Sequence, residues 1–235
     1  MRMADWILQH GDDLQVALFF SLLFVLIGLE RLAPRRPGPM ERARRWPVNF
    51  LMTALNLVAM SLLPVSFISA ALWAGARGIG ILNYIRPPAI VLIVVTLLVR
   101  AFISFNTHYL NHIIPILWRV HRVHHLDTEL DVSTTVRLHP LEFVINLLLG
   151  VPVVLAFGLT PWVLVGYEVL DVVVTLSSHS NVRLAFALDR VLRYLIVTPG
   201  GQSMSVPSPR LAPNSLTFRL GSEQFRTEPK QSWQE

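Results

Sequence analysis

Long runs of apolar residues, cut by short arginine- and proline-rich stretches, give this chain its pattern. Residues 14–29 carry no charge, and residues 48–76 form an uncharged run of twenty-nine. A third run starts at residues 87–99 and continues past Arg100 through Phe102 and Phe105. Two more occupy residues 143–158 and 162–178, separated by Leu-Thr-Pro. At 1.5 Å per residue the first run covers about 24 Å, so its ends must contribute to cross a hydrocarbon core of about 30 Å. The second is long enough to cross even with a kink at Pro64. The pattern predicts an all-α polytopic membrane bundle of four or five helices. Residues 184–197 are amphipathic, apolar at Leu188, Val191, Leu192 and Leu195 and basic at Arg190 and Arg193. That suits a helix lying at the membrane interface.

Composition agrees with a membrane protein. Apolar residues make up 53% of the 235, charged residues only 15%, and mean hydropathy is +0.52. The net charge is +5, and 19 of the 20 basic side chains are arginine. They cluster beside apolar runs, where anionic headgroups and the positive-inside rule account for them, so nucleic acid is not an expected partner. Arg31, Arg35, Arg36, Arg42, Arg44 and Arg45 oppose Glu41 between the first two runs. That loop is expected to face the cytoplasm. With no cysteine, disulfides and thiolate ligands are excluded. Asp5, Asp12 and Asp13 precede the first run, which does not read as a secretory signal.

The candidate chemistry lies in residues 108–127, HYLNHIIPILWRVHRVHHLD. This stretch holds five of the chain's eight histidines: His108, His112, His121, His124 and His125. His108 and His112 are four apart, as are His121 and His125, and His124 lies three beyond His121. Each set therefore projects from one side of a helix, with Pro115 as a break between them. Crowded imidazoles resist sharing positive charge, whereas a metal favours the neutral form that ligates it. Passing down the third run and through two more brings His139, in RLHPLE, and His179, in SSHSN, to the same predicted face. All seven are candidate ligands of a cytoplasmic histidine-rich cap. His10 falls at the opposite end of the first run. Glu168 and Asp171 are acids within an apolar run, where charge is costly and usually meets a partner. For Glu168 a hydrogen bond to a ligand imidazole is expected.

The successive segments HYLNH, LWRVHRVHH, DVSTTVRLHPLE, HSNVRL and DRVLRYLIVTP resemble, in order and spacing, the motifs of the fatty acid hydroxylase/sterol desaturase superfamily. The resemblance covers about residues 95–199. It implies a histidine-box membrane oxidoreductase with a non-haem di-iron centre, using O2 and an external electron donor to hydroxylate or desaturate a membrane lipid or sterol. His108 and His112 match the family's first box, and His121, His124 and His125 its second. His139 and His179 match its additional histidines. The family's third box, HxxHH, has no counterpart here: residues 201–235 contain no histidine and read as a divergent, disordered tail. Residues 1–200 are then the membrane domain, and weak iron binding with low turnover is expected. The alternative is a non-catalytic, truncated or frameshifted member retaining a partial metal or lipid site. A membrane zinc hydrolase fits less well, since no HExxH places a glutamate between paired histidines.

Overall fold

A computed structural model describes residues 3–36, 41–127 and 129–192. The expected tail at 201–235, and the later part of the amphipathic stretch, lie outside these residues. The helices are α1 (Met3–Leu32), α2 (Arg42–Leu62), α3 (Phe67–Arg77), α4 (Ile81–Ile85), α5 (Ala89–Ile113), α6 (Pro115–His125), α7 (Leu141–Phe157), α8 (Pro161–His179) and α9 (Phe186–Leu192). A 3-10 turn, Val132–Val136, precedes α7. Among the described residues there is no strand, only an isolated bridge between Pro34 and Val182. The expected all-α membrane fold is therefore found. Asp13–Leu32, Arg42–Ile85, Ala89–Ile113 and Pro161–His179 are long and apolar enough to cross a membrane, and Leu141–Phe157 is a shorter apolar helix.

Two prolines set the helix boundaries. At Pro64 the expected kink is a full break: the chain leaves the helix after Leu62 and restarts at Phe67. Ser66 caps the restart by accepting the Ser69 N–H at 3.1 Å, while Ser69 Oγ accepts the Ser66 N–H at 2.8 Å. This reciprocal pair satisfies two otherwise orphaned donors. At Pro115 the chain turns and begins α6, with proline at the first helical position where its missing N–H costs nothing. That turn folds α6 back beside the end of α5, so the two histidine sets face each other.

Contacts along the bundle give the path of the chain. Gly11 lies against Val165 near the start of α8, whereas Glu30 reaches Val132 and Asn181 near its end. Phe67 and Ile103 pack on Gly150 at the middle of α7. Gly80 approaches the Gly158 backbone so closely that a Cβ would collide with it, and φ at Gly80 is +98°. At that same end the Thr160 N–H donates to Thr96 Oγ1 at 3.1 Å. Thus α1 runs toward one end, α2 and α3 together away, α5 back, α7 away and α8 back. The arginine-rich loop, α6, the 3-10 turn and the end of α8 share one end of the bundle.

The core is narrow, as expected where lipid covers the outside. Phe67, Ala71, Leu82, Ile103, Val154 and Leu164 pack at its centre, while Phe24, Phe105 and Leu148 stay exposed. Since lipid is as apolar as these side chains, burial alone does not hold helices together and polar links matter more. Arg100 of α5 supplies one such link. Its Nε and Nη2 donate to Glu168 of α8 at 2.8 and 3.2 Å, and its guanidinium lies 4.8 Å from the rings of Phe67 and Tyr167.

Candidate metal centre

Six of the seven predicted histidines converge. The Nε2 atoms of His108 and His112, of His121 and His125, and of His124 and His179 face each other, each pair 3.2 Å apart. The pairs adjoin: the His108 and His121 rings are 4.8 Å apart by centroid, His112 and His125 4.9 Å, and His121 and His124 5.8 Å. Ligand atoms of His108, His112 and His121 all lie within 4.8 Å of one another. Trp118 closes one side, 5.3 Å from His112 and 5.4 Å from His125.

This spacing is that of neighbouring ligands on an ion. Two nitrogens each about 2.1 Å from one metal, at 90–109° to each other, lie about 3.0–3.4 Å apart. One such pair alone could be an N–H···N hydrogen bond; the convergence of three pairs on adjoining points is what marks a metal site. His124 adds an orphan: its Nδ1 is buried and has no hydrogen-bond partner. The all-nitrogen donor set suits iron, zinc or copper and not magnesium or calcium.

Outer partners fix which nitrogen of two rings points inward. The Nδ1–H of His121 donates to Glu142 Oε2 at 2.8 Å, and that of His179 donates to the Thr175 carbonyl at 2.9 Å. Each bond leaves an Nε2 lone pair toward the cluster, the usual arrangement behind a ligating histidine. His124 and His125 are kept neutral as ligands must be. Burial, then the neighbouring imidazoles His179, His125 and His121, push His124 well below its ordinary value. Burial, then His121, His112 and His108, push His125 down to about 3.

The other two predicted residues sit differently. His139 Nδ1 accepts the Leu141 N–H at 3.2 Å, which puts the proton of a neutral ring on Nε2. Its link to the cluster runs through Glu142, whose Oε1 accepts the His139 backbone N–H at 3.1 Å. Glu168 does not meet an imidazole: it pairs with Arg100, so the expected hydrogen bond to a ligand histidine is corrected. The acid that does this is Glu142, in the HPLE segment, where the first turn of α7 begins beneath His121. Its signal in the sequence was its place three residues after His139, at the mouth of an apolar run.

A second group missed in the sequence is the clasp under the cluster. Arg45 donates to both oxygens of Asp127 and, at 3.0 Å, to Asp131. Asn49 donates to Asp127 at 3.0 Å and to Ser133 at 2.9 Å. Burial raises the pKa of Asp127, but bonds from Arg45, Thr134 and Asn49 outweigh it and hold the carboxyl below its usual range. Glu30, 1% exposed, accepts the N–H groups of Val132 and Asn181, each at 2.7 Å. The Asn181 carbonyl in turn accepts the Arg35 N–H, and its side chain exchanges hydrogen bonds with the Arg36 backbone. The segment after His125 and the segment after His179 are thereby pinned to α1 and α2. Within the arginine run expected to form a loop, Arg45 lies in α2 and is buried, at 7% exposure.

Residues 93–204 match the family model described as fatty acid hydroxylase. No curated protein and no solved structure matches the chain.

Proposed function

Residues 93–204 are a fatty acid hydroxylase domain, and on that premise we propose a di-iron lipid oxidoreductase. It takes a fatty-acyl or sterol-type substrate and uses O2 and electrons from an external donor. The domain and the spanning helices support a membrane lipid hydroxylase or desaturase kind of function. The observation carrying the finer reading is the set of three Nε2 pairs at 3.2 Å, cis-ligand spacing in a nitrogen-only donor set. His108, His112, His121, His125, His124 and His179 would hold the irons, and His139 lies beside them.

Bound iron supplies the oxidising power that no side chain has for an unactivated C–H bond. The chain's own residues do the rest. Glu142 and the Thr175 carbonyl hold the His121 and His179 rings in one tautomer. Arg45 and Glu30 fix the backbone after each box. The apolar bundle below the cluster keeps water from the side on which a lipid chain would enter. By arginine asymmetry the cluster faces the cytoplasm, within reach of a soluble electron donor.

The absence of histidine after His179 favours a second reading, a non-catalytic member retaining a partial metal site. Purified protein loaded anaerobically with ferrous iron separates the two. O2-dependent hydroxylation or desaturation of added lipid with two irons per chain supports the first; one iron or none, and no oxidised lipid, supports the second. The coding DNA gives an independent check. An HxxHH segment in another frame after Pro199 marks a frameshifted copy of an enzyme.

A further inference from the structure

One turn below the cluster, between α1, α2, the 3-10 turn, α7 and α8, is a cavity of about 280 Å3. This is close to the lower end of ordinary ligand pockets, about 300–1,000 Å3. Phe19, Leu57, Met60, Phe143 and Leu176 are among the apolar residues of its wall. Leu57, Met60, Val16 and Phe20 are also exposed on the outer surface of the bundle, so the mouth opens toward lipid.

Its polar residues do not fit a plain hydrocarbon. Asn56, 6% exposed, spends its amide N–H on the Leu138 carbonyl at 3.1 Å and leaves Oδ1 buried without a partner. Thr135, 7% exposed, has an Oγ1 in the same state. Asp171 brings a carboxyl group to the wall. Buried polar atoms are normally satisfied, and two orphaned acceptors on one cavity wall, with the Asp171 carboxyl beside them, point to a ligand that supplies the missing bonds. Asp171, Thr175 and His179 recur at four-residue intervals along one side of α8. The cavity and the metal cluster are therefore in line, with Asp171 about 12 Å of helix rise from His179.

We propose that this cavity binds a lipid alcohol, an apolar body carrying a hydroxyl group, and that Asp171 and Asn56 read the hydroxyl. Resting on the hydroxylase reading, this names its substrate class: a hydroxyl held at Asp171 presents a carbon remote from it to the histidine end. A long-chain alkanol and a sterol share that chemistry, and the test distinguishes them.

The full chain in lipid nanodiscs is photolabelled with a diazirine-bearing hexadecanol, and labelled peptides are mapped by mass spectrometry. Label is expected on peptides containing Phe19, Leu57 or Phe143. 1-Hexadecanol should suppress it at a concentration about tenfold below that needed with hexadecane, the effect of one buried hydrogen bond. Suppression by cholesterol as well assigns the cavity to sterol-sized alcohols; suppression by hexadecanol alone assigns it to alkanols. Asp171→Leu and Asn56→Leu should each abolish the preference over hexadecane. Met60→Trp, which fills the half-exposed mouth of the cavity, should block labelling. Equal competition by hexadecane, label confined to other peptides, or an unchanged preference in a folded Asp171→Leu chain overturns the inference. Labelling needs neither metal nor turnover. Iron binding without the hydroxyl preference sinks this inference alone, and the preference without iron sinks the hydroxylase reading alone.

Discussion

Glu142→Gln isolates the role of an outer partner in holding the metal. In the structure one carboxylate oxygen accepts from His121 Nδ1 at 2.8 Å, and the other accepts the His139 N–H at 3.1 Å. Glutamine keeps the length but has one acceptor oxygen. If that oxygen serves His121, its NH2 group confronts the His139 N–H, and the negative charge behind the ring is gone in either case. Outer-partner losses of this kind typically lower metal affinity about 10–100-fold, or about 1.4–2.7 kcal/mol. The same change removes an acid from the first turn of α7, worth about 0.3–1 kcal/mol of fold stability. The effect on metal should therefore exceed the effect on folding. Competition between apo-protein and a calibrated chelator for ferrous iron reads the first, and thermal unfolding in detergent reads the second. An unchanged iron affinity in a folded Glu142→Gln chain would refute the assignment of Glu142 behind a ligand.

His124→Ala and His179→Ala should each lower bound iron. The double variant should lose little more than either single one, because the two rings face one point; additive losses measured by elemental analysis would count against a shared ion. Arg45→Met leaves Asp127 buried without its cation, while Asp131 keeps only the more distant Arg42 at 3.9 Å, a change that costs about 3–5 kcal/mol; a melting temperature close to that of the unaltered chain would contradict the clasp. Glu168→Gln should weaken the α5–α8 link and lower thermal stability while iron per folded chain stays the same, and a loss of iron without a loss of stability would return Glu168 to the metal site. Reporters at residues 40 and 130 should be accessible from one side of the membrane, with a reporter at residue 86 on the other; any other pattern breaks the five-pass path.

The bundle was legible because its signals are local. Uncharged runs, Pro64 and Pro115 mark where helices can lie and must stop, and four-residue spacing puts each histidine pair on one face. The meeting of His124 with His179 was legible only through counting passes, since nothing in HSN alone names its partner. What the sequence hid is pairing across distance. Glu168 stood in an apolar run and needed a partner; a ligand imidazole was the one expected, whereas its place on α8 sets it against Arg100. Arg45 looked like its solvated neighbours because burial of one arginine in six depends on two acids more than eighty residues away. Glu142 was visible in HPLE, yet its role depends on the fold of α6 over the start of α7.

The central claim, that these imidazoles ligate iron, is tested most directly by X-ray absorption at the iron edge on anaerobically loaded, purified protein. The account predicts iron bound to the chain with a shell of nitrogen scatterers at about 2.1 Å. That shell should be reduced or lost in His121→Ala, whose ring lies at the middle of the cluster. Protein that takes up no iron, or that gives the same spectrum with and without His121, would contradict it.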